Sequence, residues 1–205
     1  MKHITAFIIS LLPILVSCAG LTTPDMVYSR LNIDPPTLDS IPHCRSYGCA
    51  KIDQTHLNEK EIKNIKTLFK TNINKDNEKQ HIKKSIALFE HVIGEKTGTS
   101  QDIAGTYQRL GHLQHDCIDE STNTTTYLIL LDQMGLLKFH DVNALTSRPP
   151  ILSGRLGPHR TAVITEKDTG EKFAVDSWFH DNGVEPEIVS LDIWRWGWHP
   201  TSHEN

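Results

Sequence analysis

The stretch from His159 to Trp178 limits most what this chain can fold into. His159 to Glu166 reads as a strand, Lys167-Asp168-Thr169-Gly170 carries turn chemistry, and Glu171 to Trp178 reads as a second strand. A hairpin here commits the chain to antiparallel sheet, and its register decides which side chains meet. With four residues in the turn, Glu166 faces Glu171 and Thr161 faces Asp176, so His159 and Asp176 become diagonal neighbours on one face. With a three-residue loop of Asp168 to Gly170, residue 162 pairs with 176 and the two groups fall on opposite faces. The sequence leaves both registers open.

Helices are expected before the hairpin. Asn58-Glu59-Lys60-Glu61 has the form of a capping box, and Ile62, Ile65, Leu68 and Phe69 then fall on one face. A second helix is predicted over Glu78 to Ile93, with Ile82, Ile86, Phe89 and Ile93 as its stripe and Gly94 closing it. The charged outer faces of both read as solvated scaffold. A third helix is predicted over Asp116 to Met134: Asp116 caps it, Asp119 answers three positions later, and Gly135 ends it. Thr122 to Thr126 is poor helix material within it. Lys138 to Val142 suits a strand, followed by a loop from Pro149-Pro150 through Gly157-Pro158. The expected class is α+β, with helices packed on an antiparallel sheet.

The N-terminus suggests an address. An apolar run from Ile4 to Val16 follows Lys2, too short to span a bilayer as a permanent helix. Leu15-Val16-Ser17-Cys18 resembles the lipobox of bacterial lipoproteins, which implies a signal peptide over 1–17 and lipid on Cys18. Several acyl chains would hold a soluble domain at a membrane surface. Ala19 in place of an aspartate implies, by the same resemblance, sorting to the periplasmic face of the outer membrane. Residues 18–43, with Thr22-Thr23-Pro24 and Pro35-Pro36, are expected as an extended tether to a domain over 44–205. Removing 17 of 205 residues leaves 188, enough for one domain. The formal charge is −4, or −5 without Lys2, so no basic surplus argues for nucleic acid.

With Cys18 lipidated, three cysteines remain. Cys44 and Cys49 are spaced to close a small loop and are expected to pair in an oxidising compartment. Cys117 is left over, and on count alone it is either a buried structural thiol or a nucleophile. At the first position of the predicted third helix the macrodipole favours a thiolate, but Asp116, Asp119 and Glu120 oppose it, so a histidine partner is needed. His112 and His115 with His159 invite a metal site. The i, i+4 spacing of a zinc helix is absent, and no metal is expected.

In chain order, a helix-starting Cys117, a strand-opening His159 and a strand-ending Asp176 resemble the transglutaminase-like superfamily of papain-like thiol enzymes, notably its bacterial cysteine proteinases. His115-Asp116-Cys117-Ile118-Asp119 is similar to their Gly-Asp-Cys-x-Asp segment, with His115 in place of the glycine, and the likeness continues to Val175-Asp176-Ser177-Trp178. The resemblance implies a papain-like core with Cys117 as nucleophile, His159 as general base and acid, and Asp176 fixing the imidazole tautomer. Gln114 is a candidate oxyanion donor and Trp178 a candidate cleft wall. The implied activity is hydrolysis, or acyl transfer, at an amide of an envelope peptide or protein, with no cofactor. The alternative is a catalytically silent lipoprotein that uses the fold for binding or assembly. Trp194, Trp196 and Trp198 alternate at strand period, as a rim for a ligand or, preferably, as cover for the sheet edge.

Overall fold

The computed structural model describes residues 23–70, 73–106, 110–148 and 158–201. The signal segment 1–17, Cys18 and the loop expected from Pro149 to Gly157 lie outside them. The chain is mixed α+β, as expected. Helix α1 (Asp25–Leu31) leads into a small hairpin of β1 (Ile41–Arg45) and β2 (Lys51–Thr55). Helices α2 (Glu59–Leu68), α3 (Lys75–Thr97) and α4 (Cys117–Gln133) follow. Strands β3 (His140–Arg148), β4 (His159–Glu166), β5 (Lys172–Asp176) and β6 (Glu187–Ser190) form a four-stranded antiparallel sheet in that order, and α5 (Leu191–Arg195) closes it.

The main hairpin adopts the four-residue turn. Ala162 pairs with Val175 and Thr165 with Lys172, Glu166 N–H donates to Glu171 O at 2.8 Å, and Gly170 takes a φ of 73° that suits glycine. Alternate residues therefore serve two layers. Ala162, Ile164, Phe173 and Val175 join the main core with Ile82, Ile86, Phe89 and Leu128, where Phe89 stacks on Tyr127 at 4.9 Å. Val163 and Ala174 face the other way, against Leu191 and Trp194 of α5.

Several expectations need correction. The tether reading fails from Asp25 onward: α1 buries Val27 and Tyr28, and the Tyr28 hydroxyl hydrogen-bonds Thr126 Oγ1 at 2.9 Å. Pro-rich composition hid an aromatic anchor. Gly94 does not end α3, which runs on to Gly98 with a φ of 80°. A Cβ on Gly94 would meet Asn182 Oδ1 at 2.9 Å and Ser100 Cα at 3.2 Å, so glycine there permits close packing. The last tryptophans do not share a face: Trp194 lies in α5 and is fully buried, whereas Trp196 is 74% exposed.

The threonine-rich stretch is helical because it is buried. Thr122, Thr125 and Thr126 hydroxyls donate to the carbonyls of Ile118, Ser121 and Thr122, while Asn123 clamps Cys44, accepting from its N–H and donating to its C=O. A propensity cost of at most ~0.7 kcal/mol per threonine is small beside these satisfied contacts. Glu78 plays the same part for the sheet, accepting from the N–H groups of Lys138, Phe139 and His140. Burial pushes its carboxyl up, but His140 and these N–H groups hold it below its ordinary value.

Gly94→Ala is expected to destabilise the protein by ~1–3 kcal/mol through overpacking against Asn182 and the Ser100 backbone. Urea unfolding checks this; an unchanged midpoint would show that the helix can move aside.

Candidate active site

Cys117 opens α4 as predicted. Asp116 accepts from the N–H groups of Ile118 and Asp119, and Asp119 returns a bond to Asp116 N–H, a complete capping box. The Asp119 carboxylate also accepts from Tyr47 N–H at 2.7 Å and Cys49 N–H at 2.6 Å. Those donors belong to a loop that Cys44 and Cys49 close by a disulfide, with Ser46, Tyr47, Gly48 and Cys49 all at positive φ. Successive left-handed residues turn their N–H groups inward, forming a backbone cradle for an anion. Burial first and the Asp116 charge second push Asp119 up to about 7 despite that cradle.

His159 and Asp176 meet on the α5 face of the sheet. His159 Nε2 lies 2.7 Å from Asp176 Oδ2, and both residues are about 98% buried or more. Trp194 Nε1 donates to the same oxygen at 2.7 Å. Trp178, Phe179 and Trp194 place their rings 4.7, 5.2 and 5.5 Å from the imidazole. Because a carboxylate only accepts, Nε2 carries the proton, and Nδ1 presents its lone pair. Nδ1 has no hydrogen-bond partner among the described residues.

The sulfur of Cys117 lies against the chain on either side of His159. It contacts Pro158 O at 3.9 Å and accepts from the Arg160 backbone N–H. The expected lowering of the thiol pKa is absent: burial, with smaller contributions from Asp116 and Asp176, pushes it up to about 11, and the Arg160 N–H offsets only part. The resting sulfur is a thiol.

Gln114 does not take the predicted arrangement. Its Nε2 donates to Gln101 O at 2.9 Å and its Oε1 accepts from Ile103 N–H at 3.1 Å, which makes it a tie to the 101–103 loop. Trp178 is buried beside His159 as a wall of the site. The three histidines considered for a metal go to separate surroundings: His112 is exposed, His115 bonds Glu120, and His159 bonds Asp176.

A second buried cluster, which sequence reasoning missed, fixes α4 to the end of β5. His115 Nδ1 lies 2.7 Å from Glu120 Oε1 and 3.4 Å from Asp102 Oδ2, while Asp102 Oδ1 accepts the His115 backbone N–H at 2.6 Å. Ser177 Oγ donates to Glu120 Oε2 at 2.7 Å and is bonded to Thr124 Oγ1 at 2.8 Å. Asp102, His115 and Glu120 are close enough to hold a cation. Burial alone would push His115 down, but Asp102 and Glu120 hold it well above its ordinary value, so the imidazolium already supplies the positive charge. Glu90 is held well above the carboxylate range, by burial first and then by the Glu120 charge. The nearby His43 is driven well below its usual value by burial and by His115, and bonds Thr99 and Tyr127 as a neutral ring.

No protein-family model, curated protein or solved structure matches the chain.

The His115 ion pair gives a pH signature. Its folded pKa is raised, so its stabilisation is complete below the ordinary value of 6.5 and disappears as pH rises through the folded pKa. His115→Gln is expected to cost roughly 3 kcal/mol in mildly acidic solution, with the gap narrowing toward alkaline pH. Urea titrations at both ends of the range check this; an equal gap at both would contradict it.

Proposed function

We propose that the protein is a thiol hydrolase of the transglutaminase-like, papain-like kind, acting on an amide bond of a peptide or protein, with Cys117, His159 and Asp176 as its triad. The observation that carries the reading is the buried His159 Nε2 to Asp176 bond, which leaves Nδ1 unpartnered among the described residues, while the sulfur of Cys117 meets the backbone N–H of the next residue, Arg160. The lipobox-like segment supports a place in the bacterial cell envelope, anchored by lipid on Cys18. Among the described residues no helix is long and apolar enough to cross a membrane.

The chemistry follows from the protonation states. Cys117 rests as a thiol, so His159 Nδ1 takes the S–H proton as sulfur attacks the amide carbonyl carbon. The resulting imidazolium is stabilised by Asp176, whose position is held by Trp194. The Cys117 backbone N–H, at a helix start where N–H groups lack intrahelical partners, is a donor for the oxyanion. The tetrahedral species collapses as the imidazolium passes its proton to the departing amine nitrogen. The C–N bond breaks and a thioester remains. Water then gives a proton to Nδ1 as its oxygen attacks the thioester carbon. Release of the acid returns the proton to sulfur. An amine in place of water makes the same cycle an acyl transfer.

A silent lipoprotein is the rival reading, and the raised thiol pKa favours it. Alkylation of Cys117 by iodoacetamide separates the two. For the enzyme, His159→Ala slows alkylation at neutral pH by about 100-fold, the lower end of what a positioned base supplies. The difference vanishes as pH approaches the thiol value of about 11, where sulfur ionises unaided. For the silent module, His159→Ala leaves the neutral rate unchanged and both proteins simply gain about tenfold per pH unit.

A further inference from the structure

On the α4 side of Cys117 lies a small groove lined by Val27, Arg30, Leu31, Ile118, Leu145 and Arg160. Two of these residues adjoin the site directly: Ile118 follows the nucleophile, and Arg160 follows His159 and offers its backbone N–H to the sulfur. The floor is apolar apart from Thr122, whose hydroxyl is bonded to Ile118 O, and the two charged members are both arginines. Neither guanidinium forms an ion pair or side-chain hydrogen bond with a described residue. Asp116, which caps α4, already accepts from two backbone N–H groups. The segment 149–157 that joins β3 to β4 contains no Asp or Glu to pair with them. In a chain of net charge −4, two uncommitted arginines bracketing an apolar floor beside a nucleophile stand out.

We infer that this groove is a substrate subsite for a carboxylate, so that the preferred substrates carry a negative charge next to the amide under attack, held by Arg30 and Arg160. The inference rests on the thiol-enzyme reading and adds the substrate class to it. Arginine suits the task because its planar fork meets both carboxylate oxygens and stays charged at any working pH. The volume of about 60 Å³ is enough to admit a small group such as a carboxylate. By the alternation along the strands, His159 and Asp176 fall on the α5 face of the sheet and Arg160 on the α4 face, and the Arg160 backbone N–H meets the sulfur of Cys117.

Two alkylating agents of similar shape test this on the full-length protein, anionic iodoacetate and neutral iodoacetamide. The ratio of their rates at Cys117, divided by the same ratio for N-acetylcysteine, is expected to exceed one by about threefold, the size of a partly exposed ion pair. It is expected to fall toward one in Arg30→Gln and in Arg160→Gln, and because it is a ratio it cancels any change in the thiol itself. Both side chains are at least partly exposed, so folding survives the replacements. Protection from iodoacetamide by N-acetylglycine identifies a chain-terminal carboxylate. Protection by the α-amide of N-acetylglutamate, whose carboxylate is on the side chain, identifies an acidic residue. A normalised ratio of one or less, a ratio unmoved by either replacement, or protection by neither compound overturns the proposal. In those cases the His159→Ala effect at neutral pH survives if the enzyme reading is right; loss of that effect removes both.

Discussion

The arrangement depends on keeping the Glu120 carboxylate buried. An acid taken from water must find partners for both oxygens, and Glu120 finds them on different parts of the chain: His115 on one oxygen, Ser177 on the other. Ser177 follows Asp176 at the end of β5, and Glu120 lies one turn into the helix that Cys117 opens. The bond between them therefore ties the start of α4, with Cys117, to the end of β5, with Asp176. Asp102 completes the charge balance and joins the 99–106 loop to the same point, as Gln114 does nearby. A polar cluster of this kind gives little net stability against an apolar core, but it permits one packing only.

The same principle operates at His159. Trp178, Phe179 and Trp194 surround a ring whose single polar contact among the described residues is Asp176, which selects its tautomer. Trp194 makes Asp176 a double acceptor and holds it in place. The thiol is left protonated by burial, so in the proposed reaction activation falls to His159 and not to the helix terminus. Under that proposal the proton transfer and the attack would belong to one event, and a protonated thiol is the less oxidation-prone resting form.

Much of this was legible in the sequence where a local rule governed it. Lys167-Asp168-Thr169-Gly170 marked the hairpin, though not its register: two turn lengths fitted, and only the folded chain shows the four-residue turn, with Gly170 at its left-handed corner, that makes His159 diagonal to Asp176. Asp116 and Asp119 announced the start of α4. The failures share a cause, in that tertiary partners overrode local signals. Gly94 looked like a helix stop and is a packing contact with Asn182; threonines at 122–126 looked unhelical and are satisfied by burial; the Trp194 to Trp198 alternation fitted a strand and is a short helix followed by a turn. The Asp102, His115, Glu120 and Ser177 cluster draws on separate segments with no common spacing, so only the folded chain reveals it. His115, standing where the resembled motif has glycine, was its one visible trace.

The central claim is that Asp176 holds His159 in the Nε2–H tautomer with Nδ1 available to the Cys117 proton. Nitrogen-15 NMR of histidine-labelled protein measures it directly, since the two ring nitrogens resonate apart according to which carries hydrogen. The account predicts a protonated Nε2 and an unprotonated Nδ1 for His159 at neutral pH, with that bias lost in Asp176→Ala. A hydrogen on Nδ1, or a rapid average of both tautomers in the unaltered protein, would contradict it.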